Sequence, residues 1–181
     1  MTQSQTLSTW AIDPAHSEIQ FKVKHLVIST VTGYFRQFSG EVKTTGEGFE
    51  NAEISFAADV NSIDTNQEMR DNHLKSADFF AADEFPQLTF KSSAFEHVGG
   101  DDYKLTGILS IRGISKEVIL DVEFGGAAVD GYGNQKAGFE INGKIKRKEF
   151  GLNWDAVTEA GGVVVSDEVK LHLNVQVNKA Q

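Results

Sequence analysis

WAIDPAHSEIQFKVKH, Trp10 to His25, decides the fold: a turn cluster at Asp13-Pro14 runs into a stretch where Ile19, Phe21 and Val23 alternate with Gln20, Lys22 and Lys24. A period of two places the apolar side chains on one face and the polar ones on the other, which is a half-buried β-strand. The alternation returns at Ala52, Ile54, Phe56, Ala58 and Val60, at Leu88 and Phe90, and at Tyr103, Leu105, Leu109 and Ile111. Val118, Leu120, Val122 and Phe124 form a further face, Phe139, Ile141 and Ile145 another, and Val169, Leu171, Leu173, Val175 and Val177 the last. Clean alternation specifies antiparallel strands with one side in water. About eight such strands can close into an all-β barrel whose interior is either filled by side chains or holds one small ligand, and the pattern alone does not choose.

The punctuation agrees with this reading. Gly99-Gly100-Asp101-Asp102, Arg112-Gly113, Gly125-Gly126, Asp130-Gly131 and Gly161-Gly162 fall between the apolar runs as hairpin or loop signals. The glycine pairs at Gly46 to Gly48 and Gly131 to Gly133 lack the spacing and the strand-to-helix context of a phosphate loop and read as turns. Asn66 to Phe80 is the exception: helix formers replace β-branched residues, and Met69, His73 and Leu74 recur at helical spacing. A short helix across one end of the barrel is predicted there.

The 181 residues suit a single domain over 1–181, with 1–8 as a flexible N-terminus. Thirteen Phe against two Trp and three Tyr favour bulky packing that needs no hydrogen-bond partner. A formal charge of −9 opposes broad attraction to phosphate backbones, so nucleic acid is not an expected partner. The absence of cysteine removes disulfides, thiolate nucleophiles and Cys-ligated metals together. The opening MTQSQTLSTW has neither a basic nor an apolar leader segment, and 18 apolar residues nowhere run together, so a cytoplasmic protein with no stable membrane insertion is expected.

Chemistry-bearing residues are sparse. None of the five histidines, His16, His25, His73, His97 and His172, has the spacing of a zinc site, and no nucleophile elbow is present, so no metal, cofactor or catalytic residue is expected. Only four arginines occur, Arg36, Arg70, Arg112 and Arg147. Arg147 follows a strand on its inward parity, and an inward guanidinium cannot stay unpaired. It is expected to meet a carboxylate such as Asp71 or Asp78, or with Arg70 to bind an anionic head group at the barrel mouth.

These residues together resemble the YceI-like family of polyisoprenoid-binding proteins along nearly the whole chain. The similarity is carried by W-x-I-D-x-x-H-S-x-I-x-F-x-V-x-H-L at Trp10 to Leu26, G-x-F-x-x-F-x-G at Gly33 to Gly40, and S-I-D-T at Ser62 to Thr65. R-D-N-H-L-K-S-A-D-F-F at Arg70 to Phe80, F-P-x-L-T-F at Phe85 to Phe90, G-I-L-S-I-R-G at Gly107 to Gly113 and R-K-E-F-G-L at Arg147 to Leu152 follow in order. The resemblance implies a lipocalin-like barrel carrying an isoprenoid lipid, a polyprenyl phosphate or a ubiquinone-type quinone, in its lumen. On that reading Phe21, Val23, Phe56, Leu105, Leu109, Phe139, Ile141, Leu171 and Leu173 line the interior. Arg70, His73 and Arg147 then lie near the head group, and Phe35 and Phe38 pack over an entrance. Two alternatives stand beside it: an acid-base enzyme using His16, His25 or Asp71 on a similar amphiphile, and a stress-related structural protein with a filled barrel. Any strand left at an open edge would favour a homodimer.

Overall fold

The computed structural model describes residues 7–46, 48–154 and 165–180. In chain order its elements are β1 Leu7–Ile12, β2 Glu18–His25, β3 Ser29–Phe35, β4 Phe38–Thr45, β5 Glu53–Asp59, β6 Ile63–Asp64, α1 Glu68–Lys75, β7 Gln87–Gly99, β8 Asp102–Ile111, β9 Ile114–Val129, β10 Gln135–Lys146 and β11 Val165–Lys179. Eight strands form a closed ring in the order β1-β4-β5-β7-β8-β9-β10-β11, with β11 returning to β1. Every pairing is antiparallel, as alternation required.

β11 makes the closure possible because its free edge is shared. Its last residues pair with β1, Ile12 opposite Val177, while Val169 to Asn174 pair with β2. β3 and then β6 extend the sheet outward from β2. The chain therefore runs along β11 as one long strand broken once, at a 3-10 turn over Pro14–His16. Asp13 makes the break. Its carboxylate accepts from the Ala15 N–H at 3.0 Å, meets the His16 ring at 2.8 Å, and accepts from Gln176 and Asn178 of β11.

The two ends of the barrel differ. At the floor, where β1 meets the end of β11, Trp10, Phe49, Phe124, Phe139, Phe95 and Tyr103 stack in a continuous aromatic plug with ring centroids 4.7–6.4 Å apart. At the mouth, where His25 lies opposite Val165 and Ile145 opposite Val169, the helix α1 and the segment after Arg147 gather instead. Large side chains in the walls lie over glycines of neighbouring strands. Phe21 faces Gly33 and Phe56 faces Gly40 in register, and a Cβ built on Gly33 would lie 2.2 Å from the Phe21 ring.

Several expectations are corrected. Gly125-Gly126 is not a loop: β9 continues through it with a β-bulge against Gly138, Gly126 taking φ 112°. Leu7 and Ser8, counted within the N-terminus over 1–8, pair with Thr45 and Thr44 as the start of β1, while residues 1–6 lie outside the described residues. Gly161-Gly162 also lies outside them. The helix is shorter than Asn66 to Phe80, covering Glu68–Lys75, and the chain continues in turns bonded back to it, as from Phe80 N–H to the Leu74 carbonyl.

Asp13 gives the fold a pH signature. The His16 hydrogen bond, with those from Asn178 and Ala15, outweighs burial and holds its carboxyl below the ordinary 3.8. A depressed carboxylate stabilises the fold above its unfolded pKa, and the contribution is lost as pH falls through the lower folded value. Asp13→Asn is therefore expected to cost about 1 kcal/mol at neutral pH, with the difference from the parent shrinking as the pH is taken below 3.8. Urea unfolding at a series of pH values measures this; a pH-independent difference would contradict it.

Candidate functional site

Between floor and mouth the barrel encloses a cavity of about 730 Å³. Its wall is the inward face of the alternating strands. Phe21, Val23, Phe35, Phe56, Leu105, Leu109, Ile141, Leu171 and Leu173 all border it, as do Arg70, His73 and Arg147. Phe139, expected in the lining, and Phe38, expected over an entrance, do not. Phe139 is spent in the floor, 5.0 Å from Phe49 and 5.3 Å from Phe124, because the bulge at Gly138 lies directly beside it and the barrel narrows onto that cluster. Phe38, at the start of β4, packs on Phe56 at 6.2 Å and stays outside the lining. Phe35 is a buried part of the wall rather than a cover, set between Phe21 at 5.6 Å and Phe80 at 6.1 Å.

The polar side chains that border the cavity are concentrated at the mouth, and their charge is positive. Arg70 and Arg147 bring positive charge to it and His25 and His73 stand beside them, while Lys24 and Glu41, the single acidic residue of the lining among the described residues, belong to the outward parity of their strands. Arg70 is held by a short local network. Thr65, only 4% exposed, donates from its N–H and hydroxyl to the Asp71 carboxylate. Its hydroxyl and carbonyl oxygens accept from Arg70 Nε and Nη2 at 2.7 and 2.6 Å. The guanidinium is thus fixed in place by two of its five N–H groups, the others making no hydrogen bond with the described residues. His73 is oriented by Asp78 at 2.9 Å, and its ring meets Phe79 and Trp154 edge to face at 5.2 and 4.9 Å.

Among the described residues Arg147 meets neither of the two carboxylates named for it. Asp71 is engaged by Thr65 and Asp78 by His73. The Arg147 guanidinium, 3% exposed, donates among the described residues to the carbonyls of Leu152, Trp154, Val165 and Ser166 at 2.6–3.1 Å. It ties the segment leaving β10 to the start of β11, and so places Trp154 against His73. Main-chain carbonyls could not be foreseen as its partners, because no side-chain pattern marks them. Trp154 was equally invisible, sitting in no periodic run, whereas Phe90, another wall residue, lay on an alternating face that the sequence did show. His16 lies on the floor side with Asp13, away from the cavity, and His172 bonds Asn142 on the outer face.

No three His, Asp or Glu side chains among the described residues come close enough to hold a metal ion. No helix among them is long and apolar enough to cross a membrane.

A family model for the YceI-like domain matches residues 10–177. A UPF0312 protein of Staphylococcus aureus is 36% identical over 171 residues, covering 94% of this chain and 97% of the relative. Among solved structures, Burkholderia cenocepacia BcnA superposes with a TM-score of 0.76 at 28% identity, over 91% of this chain and 98% of that one. The Campylobacter jejuni YCEI protein gives 0.73 at 33%, over 87% and 90%. A polyisoprenoid-binding domain from Saccharophagus degradans, implicated in plant cell wall breakdown, shares the fold at a TM-score of 0.65 and 17% identity, over 93% and 97%.

Removing the Arg147 guanidinium strands buried carbonyls. Arg147→Met is expected to lower stability by about 3 kcal/mol or more, and Arg147→Lys by nearly as much, since a point charge cannot span four acceptors. Thermal unfolding reads this; a change under about 1 kcal/mol in both variants would show that the carbonyls find other donors.

Proposed function

The chain belongs to the YceI-like domain family, and from that premise we propose that it is a carrier that sequesters a long isoprenoid lipid in its barrel. The observation that carries the reading is the cavity: an apolar lumen, closed at one end by aromatic rings and bordered at the other by cationic side chains, fits an amphiphile with a long apolar tail and a polar or anionic head. A dry apolar cavity of about 150 Å³ holds one benzene, so 730 Å³ accommodates about five such rings, about thirty carbons or six isoprene units. The ligand class named for the Saccharophagus degradans domain accords with this.

The energetics favour exchange over permanent capture. Burying about thirty carbons at about 0.8 kcal/mol each nominally exceeds the practical ceiling of roughly 18–21 kcal/mol for noncovalent affinity. Ordering a flexible tail subtracts heavily, and the competing medium is a lipid phase as apolar as the lumen. Net affinity against a membrane is therefore modest, and the tail can be handed on. At the mouth, Arg70 has N–H groups for a phosphate or a quinone oxygen, whereas Arg147 is committed to its carbonyls. Arg70 and His73 are the head-group residues of this proposal, with a polyprenyl phosphate favoured over a quinone by the local positive charge.

Organic extraction of the purified protein followed by mass spectrometry is expected to yield a prenyl lipid, and added prenyl phosphate is expected to enter the emptied barrel. Leu171→Trp, which narrows the lumen, is expected to lower uptake of a long prenyl chain about tenfold while costing no more than about 1–3 kcal/mol in stability. Arg70→Ala is expected to reduce the preference for a prenyl phosphate over the matching alcohol by about tenfold. No extracted lipid together with no uptake would sink the carrier reading.

A further inference from the structure

The rim of the mouth is built unlike the rest of the surface. β2 and β3 meet in a hairpin whose tip residues Leu26, Val27 and Ile28 are 42, 76 and 85% exposed. Leu26 and Val27 take φ values of 52° and 67°, left-handed backbone for which Asn-Gly is the usual choice and which strains a β-branched residue. Polar turn residues would close the same hairpin at lower cost, and the Val27 and Ile28 side chains stand mostly in solvent. Met69, 84% exposed on α1, stands at the same opening, since it and His25 both border the cavity.

Charge is sorted around this tip. On the outward faces of β2, β11 and β10, Lys22, Lys170 and Lys144 are direct register partners, and Lys24 and Lys146 lie one step nearer the mouth. All five are exposed. Like charges placed opposite one another destabilise a sheet, and Glu168, 3.9 Å from Lys144, offsets only part of the repulsion. Four residues toward the floor, about 13 Å away, the same strands carry Glu18 and Glu140, with Glu123 of β9 opposite Glu140. Lys136, farther still, is held by Asp130 at 3.6 Å. In a chain of net charge −9 the outward faces of β2, β11 and β10 thus gather five lysines on the mouth side, with Glu168 opposite Lys146 among them and Glu18, Glu140 and Glu123 nearer the floor, an arrangement that turns this side of the opening toward a negative surface.

We propose that the mouth docks on an anionic bilayer, the Leu26-Val27-Ile28 tip entering the headgroup layer while the lysine row meets lipid phosphates. Apolar insertion and charge attraction then act on one patch, which is how peripheral elements hold a membrane. That cargo enters the lumen through this contact rests on the carrier reading; the docking does not.

The test uses the full chain with vesicles of phosphatidylcholine alone and vesicles in which about a quarter of the lipid is phosphatidylglycerol. Co-flotation is expected with the second and not the first, weakening as salt is raised. The triple variant Leu26→Asn, Val27→Gly, Ile28→Thr gives the hairpin favoured turn residues, so its thermal unfolding is expected at or above the parent's temperature while vesicle binding falls about tenfold. Lys22→Gln, Lys144→Gln and Lys170→Gln together are expected to abolish the preference for phosphatidylglycerol. Failure of the parent to float with either vesicle, or undiminished binding by the tip variant, overturns the proposal. So does light scattering that shows a parent dimer made monomeric by the tip variant, which would assign the tip to a second copy. A parent that floats but neither yields a prenyl lipid nor takes one up refutes the carrier reading and leaves docking standing; a loaded parent that never floats does the reverse.

Discussion

Everything in this molecule depends on the double use of β11. An antiparallel sheet of this length has two edges of unpaired N–H and C=O groups, and a hollow interior cannot be kept dry unless those edges meet. β11 solves this by giving one edge to β10 and dividing the other between β1 and β2. The division requires one interruption in a strand that would otherwise run straight from Leu7 to His25. Asp13 supplies it by bonding the 3-10 turn on one side and the Gln176 and Asn178 amides on the other. With the ring closed at the floor, β2 and β3 extend the sheet from β11, and their inward residues Phe21, Val23, Val31 and Phe35 join the wall of the lumen.

Whether a closed barrel is solid or hollow is then a matter of how ring volume is distributed. Six aromatic side chains crowd the floor, where Phe139 and Phe124 are neighbours across the β9–β10 bulge and Phe49 reaches over both. Above them several large residues are matched with glycines of the neighbouring strand. Phe21 lies over Gly33, Phe90 over Gly107 and Leu120 over Gly143, so each bulky group fills the notch of its neighbouring strand instead of projecting across the barrel. The wall is well packed and the centre stays empty. At the mouth the packing is mixed with polar bonds, Arg147 to carbonyls, Arg70 through Thr65 to Asp71 and His73 to Asp78, which position charge at the opening while the apolar walls face inward.

Much of this was legible in the chain, and the residues that were not share identifiable reasons. The runs around Phe21, Phe56, Leu105, Leu120, Ile141 and Leu171 alternate cleanly because each strand is wet on one face, and all became strands of the sheet that walls the lumen. β3 and β4 escaped notice because Gly33 and Gly40 occupy inward positions that an alternation rule expects to be apolar; the missing volume is supplied by Phe21 and Phe56 from the next strand, a fact of register and not of local sequence. Gly125-Gly126 read as a turn because a bulge and a hairpin use the same residue type for the same backbone freedom. Phe139 shared the parity of Ile141, yet the bulge beside it put it in the plug.

The sequence by itself determined the strands, their antiparallel sense, the short helix and the inward face, since these follow from a two-residue period and from turn chemistry, both local properties of the chain. It also determined that Arg147 had to be satisfied if it was buried, because that is a property of the charge. Only the tertiary structure decided what satisfied it, that the floor is sealed while about 730 Å³ stays open, and that Arg70, His73 and Trp154 meet at one rim. Those outcomes depend on which strand lies beside which and at what register, and contacts between residues far apart in the chain leave no periodic mark along it.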